Sequence, residues 1–323
     1  MSQPTRPTRR KFRPACTVLA GFALALSAAT AVVAVSPPLS HPRTIRHFDL
    51  AKGQQPESIA VEPDGSADLT LSFARQIARV DRKGHLTLLA TLPAPAHPHT
   101  PLIGAAVVTG IARAHDGTLY FGYATGTKDL HGIWRLRPGG RPERIATLPV
   151  TGFPNGLALD EDEHCLYSAD SALGVVHTLP VNGGTAKTWS DDKLIKPTTA
   201  FGANGIKVHH HAVWVSNSDT GTLVRIPIRR DGTAGPAQVR ASGLPGIDDF
   251  AFTGHGDALI AALNVPNTAA YITADGHHHT VLTGSDGLSN PTSVAVRGNA
   301  VYVPSAAYFT GANPNLLRAD LQH

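Results

Sequence analysis

One short phrase returns six times along the chain: Glu57-Ser-Ile-Ala-Val, Thr109-Gly-Ile-Ala-Arg, Asn155-Gly-Leu-Ala-Leu, Asn204-Gly-Ile-Lys-Val, Asp248-Asp-Phe-Ala-Phe and Thr292-Ser-Val-Ala-Val. The spacings are 52, 46, 49, 44 and 44 residues, which suits a four-stranded unit and exceeds the period of paired-helix repeats. A turn follows most copies, at Asp64-Gly65, Asp116-Gly117, His209 to His211 and Gly254-His255-Gly256. Beyond the turns come apolar runs with strand character, among them Leu119-Tyr-Phe-Gly-Tyr, Val213-Trp-Val-Ser-Asn and Leu259-Ile-Ala-Ala-Leu. Further strands follow at Gly132-Ile-Trp-Arg-Leu and Glu143-Arg-Ile-Ala-Thr-Leu. No stretch after residue 40 keeps a helical period for three turns. The expected fold is all-β, a six-bladed β-propeller of four-stranded antiparallel blades over residues 45–323, and it leaves no room for a second domain.

The first 35 residues differ in kind. Arg6, Arg9, Arg10, Lys11 and Arg13 precede an apolar run from Cys16 to Val35, without a single acid. This is the layout of a signal peptide, and Thr8-Arg9-Arg10-Lys11-Phe12 is similar to a twin-arginine signal. The expectation is an exported, secreted protein with a linker over 36–44; an uncleaved segment would instead anchor it to a membrane. Losing the leader's five positive charges takes the formal charge from +4 to −1. A near-neutral body without a Lys/Arg stripe has no electrostatic footprint for nucleic acid. Nor does any feature call for an obligate protein partner. Cys165 would be the one thiol left, which excludes an internal disulfide; it reads as a packed, inert side chain.

The inner strand of every propeller blade lines the central channel, so the six head residues form a ring. Thr109 and Thr292 suit a structural position, but Glu57, Asn155, Asn204 and Asp248 bring two carboxylates and two amide oxygens to one axis. Two carboxylates held together repel unless one is protonated or a cation lies between them. Oxygen-only ligands favour Ca²⁺, with Mg²⁺ or Mn²⁺ as alternatives; a metal-free, water-filled network is the plainer option. Asp249 could contribute to the site or orient a ligand.

A Glu in the first blade, Asn in the third and fourth and Asp in the fifth, with Pro154-Asn155-Gly156-Leu157, Ala203-Asn204-Gly205-Ile206 and Gly246-Ile247-Asp248, resembles the gluconolactonase, regucalcin (senescence marker protein) and paraoxonase superfamily of calcium propellers. The resemblance spans about residues 45–320. It implies a metal-dependent hydrolase of a small-molecule lactone or ester, in which the cation polarises the carbonyl and activates water. Asp248 or Asp249 would take the water's proton, or a loop histidine would. Thr109 in the channel ring, with His97, His99, His131, Asp170 and Asn217 in the loops expected over the channel, would be substrate-binding groups. Thr109 stands where paraoxonases have a histidine, and Phe153-Pro154 where a sugar-holding Arg would be, which points to an apolar substrate. Two other functions fit the same frame: a noncatalytic binding propeller with a structural metal, and a bond-forming enzyme similar to strictosidine synthase. The histidine runs 209–211 and 277–279 fall at turns on the opposite face.

Overall fold

In the computed structural model, which describes residues 1–2 and 38–322, six four-stranded antiparallel sheets follow one another in sequence order. The leader expected over residues 1–35 lies almost wholly outside the described residues. The six inner strands are Pro56–Val61, Val107–Arg113, Pro154–Asp160, Ala203–Val208, Ile247–Phe252 and Ala295–Arg297. The only helical elements among the described residues are three 3₁₀ turns, at Leu50–Lys52, Lys193–Ile195 and Gly284–Asp286.

Side-chain alternation explains why the second strands read as continuous apolar runs. Successive residues point to opposite faces of a blade, and each face packs on a different neighbour. Tyr120 joins the apolar cluster shared by blades 2 and 3, while Phe121 joins the one shared by blades 1 and 2. Likewise Trp214 packs towards blade 5, and Val213 and Val215 towards blade 3. One such cluster fills each of the six gaps between blades. Cys165 lies half-buried against the cluster between blades 3 and 4, and burial pushes its thiol pKa up, in keeping with an inert side chain.

The ring closes through Leu39–His47, the outermost strand of blade 6, which pairs antiparallel with the C-terminal Asn315–Leu321. Residues 39–44 therefore belong to the propeller and not to a linker. Their sequence hides this, because the strand lies on the outer edge with mostly solvent-facing residues, and two register shifts interrupt its alternation.

Five inner strands share a second feature. The register with the neighbouring strand shifts at the head residue itself: between Pro56 and Ser58, Val108 and Ile111, Pro154 and Leu157, Ala203 and Ile206, and Ile247 and Phe250. A bulge adds local twist and re-aims a side chain. Here it turns the head residue out of the sheet and towards the channel. The glycine that follows the head has a separate role. A Cβ on Gly110 would lie 2.4 Å from Asn155 O, one on Gly156 2.3 Å from Asn204 O, and one on Gly205 2.5 Å from Asp249 Cα. The Asn-Gly pairs thus combine a polar group for the channel with a residue bare enough for the next blade's backbone to close up.

Candidate metal centre

Glu57, Thr109, Asn155, Asn204 and Asp248 meet in a cavity of about 420 Å³. Thr292, the sixth head residue, does not line the cavity; its hydroxyl donates to Pro56 O at 2.9 Å. That bond is one of a set: Thr109 Oγ1 donates to Pro154 O at 2.9 Å, Ser171 Oγ to Ala203 O at 2.7 Å, Ser218 Oγ to Ile247 O at 2.6 Å and Asn264 Nδ2 to Pro291 O at 3.1 Å. In each case the acceptor is the carbonyl just before the next blade's head residue. Blade-to-blade spacing and head position are therefore fixed together.

Two of these bonds also orient the amides. A serine hydroxyl has one proton, and Ser171 and Ser218 give theirs to carbonyls that can only accept. Asn155 lies 3.2 Å from Ser171 Oγ and Asn204 2.9 Å from Ser218 Oγ, so each asparagine must present its NH₂ to the serine. The Oδ1 atoms are left as the groups available to the cavity.

The cavity wall contains Glu57, Asp219 and Asp248 but no Lys, Arg or His. Burial raises Glu57 to about 7 against a lowering hydrogen bond from Tyr308, and the charge of Asp249 adds to the rise. Asp248 is driven well above the ordinary carboxylate range by burial, then by the charges of Glu57 and Asp249. Asp219 behaves differently. Burial would raise it, but four backbone N–H groups, of Thr198, Thr199, Ala200 and Phe201, together hold its pKa below the ordinary value.

The donor set fits a hard divalent cation. Two mutually repelling carboxylates and two amide oxygens with fixed orientation share one cavity, no protein cation lines it, and no sulfur or nitrogen ligand competes. Tyr308 is a site residue that the sequence reading does not include; its hydroxyl donates to Glu57 Oε2 and its ring meets Phe73 edge-on at 6.2 Å. Only the fold brings Tyr308 to Glu57, across 251 residues of sequence.

The outer wall is apolar. Phe73, Ile103, Val265 and Phe309 line it and are among the few large hydrophobic side chains exposed among the described residues, joined by Val107, Phe153 and Phe201. Three polar turns hold three of these phenylalanines. Asp170 Oδ1 accepts the Phe153 N–H at 2.8 Å, Asp219 Oδ1 that of Phe201 at 3.1 Å, and Asn290 Oδ1 that of Phe309 at 2.8 Å.

Several expected site residues stand elsewhere. Asp249 does not line the cavity: Lys207 Nζ reaches both its carboxylate oxygens, at 2.6 and 2.7 Å, and Ser293 Oγ donates to it at 2.7 Å. The bulge that aims Asp248 at the channel leaves its neighbour between blades. His97 and His99 are exposed and absent from the wall; His99 Nδ1 meets the His97 carbonyl at 2.9 Å instead. His131 is buried and braces its own loop, with Nδ1 accepting the N–H groups of Thr125 and Gly126, both at 3.1 Å. Burial lowers its pKa to about 4, against the charge of Asp170. Asn217 is fully buried and donates to Leu194 O and Lys196 O. Asp170 acts at one remove, through Phe153. Of the groups expected to touch substrate, Thr109 alone reaches the cavity wall.

No protein-family model matches the chain, and no curated protein sequence matches it significantly. Solved structures do. The fold is similar to a gluconolactonase from Xanthomonas campestris, at 16% identity and a TM-score of 0.65 over 90% of this chain and 93% of that one. It is also similar to the calcium-binding protein regucalcin from Agrobacterium tumefaciens, at 14% identity and a TM-score of 0.62, covering 86% and 95% of the two chains. A virginiamycin B lyase from Staphylococcus aureus shares it at 16% identity and a TM-score of 0.57, covering 87% and 100%. At these identities the likeness is one of fold.

Proposed function

We propose that this protein is a divalent-cation-dependent hydrolase of lactones or esters with an apolar acyl portion. The observation that carries the reading is a single cavity that combines two mutually repelling carboxylates, two amide oxygens of fixed orientation, no cationic side chain and an apolar mouth. Glu57, Asn155, Asn204 and Asp248 would hold the ion, for which Ca²⁺ is the best match and Mg²⁺ or Mn²⁺ the alternatives. When bound, such an ion supplies Lewis acidity towards the substrate carbonyl and lowers the pKa of a coordinated water.

The chain's own residues do the rest. Phe73, Phe153, Phe201, Val265 and Phe309 take the apolar portion and exclude bulk water from the carbonyl. Asp248 takes the proton from the attacking water, because Glu57 is engaged by Tyr308 and Asp219 is saturated by backbone N–H groups. Fold neighbours that include a gluconolactonase and a calcium-binding regucalcin support the reading at the level of scaffold. Export through the N-terminal segment belongs to the same proposal.

The test is a panel of lactones and aryl esters of increasing acyl length, assayed with Ca²⁺ and with EDTA, on wild type and Asp248→Ala. Cation-dependent turnover that rises with acyl length and is lost in the variant is expected. Stabilisation by Ca²⁺ without turnover of any member would replace the hydrolase with a binding propeller. Turnover indifferent to EDTA would remove the ion from the chemistry.

A further inference from the structure

At the end of the propeller opposite the cavity, the hairpin after the blade 4 inner strand runs through three consecutive histidines. His209 N–H bonds Ala212 O at 2.9 Å and Ala212 N–H returns to His209 O at 3.1 Å, enclosing a two-residue loop of His210 and His211. Both have positive φ, 47° and 51°. A loop of this shape ordinarily takes Asn-Gly or Gly-Gly, and side chains with a Cβ sit there under strain. Neither position is a glycine, so the turn holds both histidines on left-handed backbone, a region that histidine enters more readily than most residues.

The strained turn brings two imidazoles to one carboxylate. His210 Nδ1 lies 3.0 Å and His209 Nε2 3.3 Å from Asp257 Oδ1, and all three ligand atoms lie within 4.8 Å of one another. Asp257 comes from the corresponding hairpin of blade 5. The His209 ring is fixed independently: it stacks on Phe252 at 3.7 Å with planes 15° apart, and on its other side lies 3.8 Å from the His210 ring. Tetrahedral bonds of about 2.0–2.1 Å to nitrogen and oxygen place ligand atoms about 3.3–3.4 Å apart. The two separations from Asp257 are already close to that edge. His210 is largely exposed, so an ion has a path from solvent and a coordination position left for water.

We propose that His209, His210 and Asp257 form a second metal site, selective for a nitrogen-seeking divalent ion of the Zn²⁺ type and distinct from the all-oxygen centre in the channel. Binding replaces the hydrogen bonds that His209 Nε2 makes with Gly256 O, at 3.0 Å, and with Asp257. The protons on His209 Nε2 and His210 Nδ1 leave to solvent, and each neutral ring takes a proton back from solvent on its other nitrogen, Nδ1 of His209 and Nε2 of His210. The ion clips together the hairpins of blades 4 and 5. These hairpins end the strands that carry Asn204 and Asp248 as their second residues, so the clip fixes the far ends of two channel-bearing strands.

The experiment uses the full chain, stripped with EDTA and then held in millimolar Ca²⁺ so that the channel is not open to the probe. Zn²⁺ is titrated against a chromogenic chelator, and Co²⁺ in parallel for its visible absorption. One tight Zn²⁺ equivalent and a Co²⁺ spectrum of tetrahedral intensity are expected. His210→Ala and Asp257→Asn should each weaken Zn²⁺ binding at least about 10-fold, while His279→Ala leaves it unchanged. Both variants alter surface groups, and matching circular dichroism and Ca²⁺ response would show that they fold. The proposal is overturned if wild type takes up no more Zn²⁺ than the His210→Ala protein, or if His279→Ala weakens binding as much as Asp257→Asn does.

Discussion

Replacing Glu57 by Gln keeps the acceptor for the Tyr308 hydroxyl and removes one of the two mutually repelling carboxylates, so the consequence for stability can be worked out. Burial holds Glu57 at about 7 in the folded protein, against an ordinary 4.5. Between those pH values the folded state binds more protons than the unfolded one, so Glu57 costs stability progressively as pH rises through the window. Below about 4.5 the cost is absent, and above about 7 it is complete, on the order of 2–3 kcal/mol after allowance for water in the cavity. His131 works in the opposite sense. Its pKa is lowered from 6.5 to about 4, so the unfolded state binds more protons there and stability rises with pH. The two effects overlap, and the informative quantity is the difference between wild type and Glu57→Gln, measured by urea unfolding in EDTA from pH 4.5 to 8. Glu57→Gln should gain on wild type across the window and be the more stable protein by about 2–3 kcal/mol at pH 8. In saturating Ca²⁺ the order should reverse, because the ion favours the ionised carboxylate that the variant lacks. A difference that stays flat with pH in EDTA would refute the electrostatic account of the site. A variant that remains the more stable protein in Ca²⁺ would remove Glu57 from the ligand set.

Three further outcomes follow from the geometry. Gly156→Ala places a Cβ 2.3 Å from Asn204 O, an overlap that only backbone movement relieves, so it should cost about 1–3 kcal/mol in thermal or urea unfolding and weaken Ca²⁺ binding. Ser218→Ala removes the donor to Ile247 O and the acceptor that orients Asn204; a stability loss of about 1–3 kcal/mol and weaker Ca²⁺ binding by calorimetry are expected, and unchanged affinity would show that the amide is oriented by something else. Val265→Ser at the exposed rim should leave Ca²⁺ binding intact and flatten the rise of kcat/KM with acyl length, which for full burial amounts to about 0.8 kcal/mol per methylene.

Much of the architecture was legible because it rests on properties that repeat. Blade number follows from the spacing of the heads, and strand positions follow from apolar runs and turn residues, since each blade must bury both faces against like neighbours. The convergence of Glu57, Asn155, Asn204 and Asp248 is legible for the same reason: equivalent positions in a closed ring share an axis. What escaped is non-repeating. His97, His99, His131, Asp170 and Asn217 were placed at the site because their loops open on the right face, but loop membership does not say whether a side chain points into a cavity or back at its own backbone. Asp170 and Asn217 turn back and bond main-chain groups, as short polar side chains in turns commonly do. Tyr308 does the reverse, reaching from the last blade to the first.

The unequal pair Asp248 and Asp249 shows how the ring gains its asymmetry. In blades 2, 3 and 4 the residue after the head is glycine, and the next inner strand closes up against it to within the width of a missing Cβ. In blade 5 that position is Asp249, in blade 6 Ser293 and in blade 1 Ser58. There the contact is made by side chains: Lys207 of blade 4 and Ser293 of blade 6 both bond the Asp249 carboxylate, and the Ser58 hydroxyl accepts the Ile111 N–H at 3.3 Å. Asp249 thus joins three blades as a polar spacer while its charge raises both Glu57 and Asp248. The Lys207 ammonium compensates the Asp249 carboxylate from outside the cavity wall, so Asp249 ties the inner strands of blades 4, 5 and 6 together without taking a place in the ligand set. Glu57 and Asp248 remain the two carboxylates facing the cavity, and the ion pair beside them fixes the strand from which Asp248 projects.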